Sequence, residues 1–226
     1  MYYRGQGGLF DVVLDPDFAR NATLYLSYAY AEGEATTTHV MRARYAPDGL
    51  SEQKVIFEAQ PLVASSQHFG GRLVFMRDGT LLVTMGERSI RRELAQDLGT
   101  DLGKVLRIDR DGAAPRDNPF IGRQGARSEI YSYGHRNPQG LVVDPRDGTV
   151  WEEEHGAMGG DEINRLQPGA NYGWPLVAYG LNYDGTPIGT GQRTAPGIEP
   201  VKPAGVLVGH EVDEPIRSLA DISNAA

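Results

Sequence analysis

The sequence contains no cysteine, so disulfide cross-links and thiolate chemistry are both excluded. It has no uninterrupted apolar run of about 18 residues, the length a bilayer-crossing helix needs. Basic residues are few and scattered: 22 Lys and Arg stand against 30 Asp and Glu, for a net charge of −8. A nucleic-acid binder needs a basic stripe and a polybasic membrane surface needs a basic cluster, and the chain has neither. The opening residues, Met1-Tyr-Tyr-Arg-Gly-Gln-Gly-Gly8, lack a charged segment followed by an apolar one, so no signal peptide is expected in them. Long stretches of helical period are missing too. The best candidate, Ile90 to Leu98, is short and polar and reads as an excursion from a sheet.

What is abundant is punctuation. Within 226 residues, 29 Gly and 14 Pro separate short apolar runs, the composition of a turn-rich β protein. Strands are expected at Gly8–Asp15, Ala22–Ala29, His39–Tyr45 and Lys54–Glu58, and then the pattern restarts. The second cycle holds Gly71–Phe75, a turn at Arg77-Asp-Gly79, Thr80–Met85, Lys104–Ile108 and Ile130–Tyr133. The third holds Gly140–Asp144, a turn at Arg146-Asp-Gly148, Thr149–Glu152 and Asp161–Leu166. The cycle starts at Gly8, Gly71 and Gly140 match one another at intervals of roughly 65 residues. Recurring four-stranded antiparallel units predict an all-β fold of the β-propeller type. A β-sandwich would explain the strands but not the recurrence. After Pro175 the chain reads as loop, and 206–226 shows no clear blade.

Two stretches hold the chemistry. Tyr131-Ser-Tyr-Gly-His-Arg-Asn-Pro-Gln-Gly-Leu141 carries a cation and an amide in a turn, a fork suited to a carboxylate or quinone. Glu152-Glu-Glu-His-Gly-Ala-Met-Gly-Gly-Asp-Glu-Ile-Asn164 sets a glycine-rich loop with free carbonyls between two acidic clusters, where a hard cation could sit. His68, in a loop leading into the second cycle, is open to two readings: a general base reachable by a ligand, or a loop histidine bonded to backbone. Arg136 is equally open to pairing with a nearby acid, and the glycine-rich loop to being a plain acidic turn. No H-E-x-x-H or comparable spacing joins His68, His135 and His155 into a zinc site.

The ordered motifs Gly5 to Phe18, His68-Phe-Gly-Gly-Arg-Leu73, Leu102 to Ile108, Asp117-Asn-Pro-Phe120, Gly134 to Leu141, Gly160-Asp-Glu-Ile-Asn164 and Asn171-Tyr-Gly-Trp-Pro175 resemble the soluble aldose sugar dehydrogenases. These form the glucose/sorbosone dehydrogenase family, which uses pyrroloquinoline quinone (PQQ) and calcium. The resemblance implies a six-bladed propeller, of which about three blades are expected here as a partial domain over 1–205, with 206–226 a tail unlike the family. The family's opening blade is expected to be missing before Met1 and its later blades after Pro175. It implies oxidation of the C1 hydroxyl of aldoses to lactones. His68 would take the hydroxyl proton while hydride passes to PQQ, and Arg136 would stabilise charge developing on the quinone. Gln6 and Asn137 would join Arg136 in holding the cofactor, and Gln67 would touch the sugar. The carbonyls of Gly156 and Ala157 would bind the Ca2+ that polarises PQQ, and Glu162 with the Tyr172 carbonyl would bind a second Ca2+.

The same resemblance implies an external electron acceptor and a periplasmic or secreted location. Unpaired strand edges in a half-ring favour association, so a homodimer is an expectation. Three departures stand out: Ala157 where Pro is usual, Met158 where a polar or basic residue is common, and Glu87 where Asp is usual. The longer Glu87 arm is expected to disturb a loop contact. Two other functions remain open at this point: a non-catalytic calcium-binding propeller fragment, and a calcium-dependent sugar-lactone hydrolase.

Overall fold

A computed structural model of the chain describes residues 1–196 and Ile198, so the expected tail at 206–226 and the boundary at 205 lie outside the described residues. The first sheet runs β1 (Leu9–Leu14), β2 (Thr23–Glu32), β3 (Ala35–Ala46) and β4 (Gly49–Glu58) in chain order. The second runs β5 (Leu73–Phe75), β6 (Leu81–Met85), β7 (Lys104–Ile108) and β8 (Ile130–Tyr133). The third holds β9 (Pro138–Val143), β10 (Val150–Glu154) and β11 (Glu162–Leu166). Every pairing within them is antiparallel.

Packing explains which strands alternate and which do not. The second sheet lies between the other two and is buried on both faces, so Leu81-Leu-Val-Thr-Met85 and Lys104-Val-Leu-Arg-Ile108 are buried at every position. Leu81, Val83, Leu106 and Ile108 pack against Tyr25, Val40 and Phe57 of the first sheet. Leu82, Val105 and Tyr131 turn the other way and pack against Val150 and Leu166 of the third. Between sheets, β1 touches β5 and β5 touches β9, so the first strands of successive sheets crowd one axis. That is the layout of a β-propeller, and the fold is of that type.

The expected strands fall on the observed ones, with differences at their ends. The β3–β4 hairpin is longer than the apolar pattern suggests, because residues 49–55 of β4 are exposed and carry no hydrophobic signature. The stretch from Ile90 to Leu98 keeps only a single 3₁₀ turn, Arg92–Ala95, whose Ala95 is buried. A one-turn helix, α1 (Phe18–Asn21), follows the Pro16-Asp17 turn and was not marked by any periodicity.

Burial makes the interface between the second and third sheets a stability test. Leu82 is 0% exposed, so Leu82→Ala should cost about 3 kcal/mol in urea unfolding. Val12→Ala, on the exposed side of β1, should change stability by less than about 0.5 kcal/mol. Equal costs at both sites would contradict this packing.

Candidate functional site

Five segments meet at one end of the sheets. They are the chain before β1 with Gln6, the β4–β5 connection with His68, the β6–β7 connection with Glu87 and Arg88, the β8–β9 turn with Arg136 and Asn137, and the β10–β11 turn with Gly156. The Asp-Gly turns of β5–β6 and β9–β10 lie at the opposite ends of their strands, which leaves the first end to side-chain chemistry.

Backbone bonds stitch these segments together. Glu87 N–H donates to the Arg136 carbonyl at 2.9 Å, and Arg88 N–H to the His68 carbonyl at 3.3 Å. Gly70 N–H donates to Asn137 Oδ1 at 3.2 Å, and His155 N–H to the Asn137 carbonyl at 3.4 Å. The approach is close enough to demand glycine at one point: a Cβ on Gly86 would lie 2.2 Å from the His68 carbonyl oxygen.

His68 is 7% exposed and its backbone is left-handed, with φ +48°. Its N–H donates to Gln6 Oε1 at 2.7 Å, and its Nδ1 lies 2.9 Å from Glu87 Oε1. A carboxylate oxygen only accepts, so Nδ1 carries a proton, and in the neutral imidazole the lone pair is then on Nε2. The longer arm of Glu87 therefore makes a contact instead of disturbing one. It orients the imidazole.

Arg136 is held by its neighbours on several sides. Its backbone N–H donates to Glu154 Oε2, Nη1 donates to the His155 carbonyl at 3.0 Å, and the guanidinium lies 5.4 Å from the Trp174 ring centre. Nη2 reaches the exposed Tyr183 hydroxyl at 3.5 Å. Arg136, Gly156, Ala157, Glu162, Tyr172 and Trp174 line one small cleft.

Behind that cleft sits a buried acidic group. Cross-strand pairing sets Glu152 opposite Asn164 and Glu154 opposite Glu162, so all four side chains share one face. Asn164 Nδ2 faces Glu152 at 3.1 Å, Glu154 at 3.3 Å and Glu162 at 3.3 Å. His135, fully buried, places Nδ1 3.3 Å from Glu154 and 3.9 Å from Glu152. Burial, then the charge of Glu154, raises the Glu152 carboxyl well above its ordinary value. The same two causes, in the same order, raise Glu162 to about 8. Oxygen Oε1 of Glu152 is buried with no partner among the described residues. Among the described residues, His135, Glu152 and Glu154 form a group able to hold a metal ion.

Of the residues singled out in the sequence, Gln6, Gln67, His68, Arg136 and Asn137 are gathered around the His68 loop. Gln67 is exposed there and its carbonyl accepts from Arg88 Nε at 3.0 Å. Gly156, Ala157, Glu162 and Tyr172 are gathered around the neighbouring cleft. Sequence reading passed over Arg88, Trp174 and Tyr183, and of the acidic group behind the cleft it singled out Glu162 but neither Glu152 nor Glu154. A signal existed for that pair: Glu152 and Glu154, like Glu162 and Asn164, are two apart on a strand, the spacing that puts side chains on one face.

The glucose/sorbosone dehydrogenase family model matches residues 1–205. The aldose sugar dehydrogenase YliI of Escherichia coli is 46% identical over 192 residues, covering 83% of this chain and 51% of its own length. The crystal structure of the soluble aldose sugar dehydrogenase from Escherichia coli in its apo-form superposes with a TM-score of 0.86 at 42% identity, over 91% of this chain and 60% of that one. The PQQ-bound aldose sugar dehydrogenase of Streptomyces coelicolor gives 0.70 at 34% identity, over 78% and 50%. The chain spans about half the length of the curated relatives it matches.

The acidic group generates a pH test. Folded, Glu162 keeps its proton up to about pH 8; unfolded, it loses it near 4.5. Between those values the native state binds the extra proton, so without divalent cations this group's contribution falls as pH rises. Melting temperatures should therefore drop further in the parent than in Glu162→Gln between about pH 5 and pH 8. Parallel curves would remove the buried-acid assignment.

Proposed function

The chain belongs to the glucose/sorbosone dehydrogenase family, and from that premise we propose that it carries the base and the cation loop of a quinoprotein aldose dehydrogenase. The observation that carries this reading is the joining of His68, Glu87 and Arg136 by direct bonds, with Arg136 also lining a cleft rich in oxygen donors.

The unpaired atoms support both implied groups. Arg136 Nε and Trp174 Nε1 are buried donors without partners among the described residues, and both residues line the cleft. An acceptor-rich planar quinone such as PQQ would satisfy donors of this kind. A hard cation takes six to eight oxygens and accepts carbonyls readily. The carbonyls of Gly156 and Ala157, with Glu162 and the Tyr172 carbonyl, are of the right kind, and Glu152 Oε1 behind them, without a partner among the described residues, adds a further oxygen to this wall. When bound, the quinone supplies the hydride acceptor and Ca2+ polarises it.

The chain's own residues then do the following. His68 Nδ1 donates to the Glu87 carboxylate, which leaves Nε2 to act as the base. There it accepts the proton of the sugar's C1 hydroxyl as the C1–H electron pair leaves as hydride, and C1 becomes the lactone carbonyl. Gln6 fixes the peptide that carries His68, and Gln67 stands exposed beside it, within reach of substrate. Arg136, anchored by the His155 carbonyl and flanked by Trp174, keeps a cation where negative charge develops. Asn137 ties this turn to the His68 loop. An external acceptor removes the electrons, and a periplasmic or secreted location belongs to the same reading. A lactone hydrolase would need its carboxylates within reach of substrate, and Glu152 and Glu154 are 1% and 4% exposed.

Purified protein reconstituted with PQQ and Ca2+ should reduce an artificial dye when supplied with aldoses. His68→Ala should lower kcat by ~10²–10⁴-fold, the usual worth of a general base. Undiminished turnover in that variant would remove the mechanism. Ca2+-dependent stabilisation without a quinone absorbance band would leave a binding fragment instead, and lactone turnover without quinone would indicate a hydrolase.

A further inference from the structure

The chemistry above makes no use of Arg88, yet it is one of the largest side chains buried in the protein, at 2% exposed. Among the described residues, no carboxylate accepts from its side chain. Nε donates to the Gln67 carbonyl at 3.0 Å and Nη1 to the Thr36 carbonyl at 2.8 Å. Nη2 donates to Thr36 Oγ1 at 2.7 Å and to the Ser65 carbonyl at 2.5 Å. The guanidinium carbon lies 3.7 Å from the centre of the Phe69 ring. Desolvation lowers its pKa to about 10, with Glu87 opposing the shift, so the cation survives at neutral pH.

These contacts bracket His68. Gln67 and Phe69 are its chain neighbours, Ser65 begins its loop, and Thr36 belongs to β3 of the first sheet. The loop needs such a clamp. His68, Arg88 and Ser89 all have left-handed backbones, at φ +48°, +69° and +65°, and each such residue costs roughly 1–2 kcal/mol unless its surroundings hold it.

We propose that Arg88 is a positioning residue: by clamping Ser65, Gln67 and Phe69 to Thr36 it holds His68 in the single tautomer that donates from Nδ1 to Glu87 and leaves Nε2 as the base. The proposal rests on the reading of His68 as that base. Lysine keeps the charge, but it lacks the planar fork whose three nitrogens reach Gln67, Thr36 and Ser65 separately while the guanidinium lies over Phe69. Methionine keeps only the apolar length.

The test is long-range ¹H–¹⁵N NMR of the imidazole nitrogens, with His68→Ala assigning the His68 signals. The parent should show His68 as one tautomer, protonated on Nδ1. Arg88→Met should turn it into an averaged pattern, and Arg88→Lys into an intermediate one. His39 and His135, buried elsewhere, should keep their signals in both variants. In reconstituted enzyme kcat should fall by ~10²-fold, the scale set by a base misplaced by about 1 Å, with KM little changed. A single Nδ1–H tautomer in both variants would overturn the proposal. So would collapse of the His39 and His135 signals together with those of His68, because Arg88 would then support the whole fold. The NMR readout needs no quinone. Loss of the tautomer in a protein that binds no PQQ would sink the dehydrogenase reading and leave the clamp standing.

Discussion

The site depends on a contact with no spare room, where the loop bearing His68 rests on the turn bearing Gly86, Glu87 and Arg88. Any side chain at Gly86 would collide with the His68 carbonyl. Such an approach persists only if the sheets beneath it cannot drift. The first and second sheets are fixed by a core running from Tyr25 and Val40 to Leu106 and Ile130, and close-packed interiors yield little. Hydrophobic packing thus sets the imidazole–carboxylate distance from below, and hydrogen bonds adjust it from above.

Buried charges at this end of the molecule follow a common pattern. Arg88 and Arg136 each donate to backbone carbonyls of the connections around them. Lys104 does the same, giving Nζ to the carbonyls of Leu94, Ala95 and Leu102 while burial lowers its pKa to about 7. Long connections leave many carbonyls without strand partners, and a buried cation can serve several at once. Glu152, Glu154 and Glu162 are arranged differently, gathered on one face of the third sheet around Asn164. The loops are tied down by cations, and the oxygen-rich wall is kept for something else.

Much of this was readable in the chain. Period-two runs and Asp-Gly turns marked the strands, and the matching starts at Gly8, Gly71 and Gly140 marked the three sheets. The gathering of Gln6, His68, Arg136 and Gly156 was implied by the resemblance that the ordered motifs carry. Other features were not readable, for physical reasons. The length of β4 is set by backbone pairing with β3, which leaves no apolar trace on an exposed strand. Arg88 looks like any surface arginine until Thr36, 52 residues away in the chain, is seen against it. Glu87 looked like an overlong replacement because the span it fills depends on a left-handed turn at His68 that no residue type announces.

The pairing of β10 with β11 has a consequence for how the molecule matures. One residue of slippage would turn one strand over against the other, sending either Glu152 and Glu154 or Glu162 and Asn164 outward and driving either Glu153 or Arg165 into the apolar layer beside Val105 and Tyr131. A misaligned hairpin of this kind could not pass as a slightly loosened native form. The acids that equip the cleft also act as a checksum on the alignment of their own strands, so quality control of the chain and competence of its cleft are decided in one step.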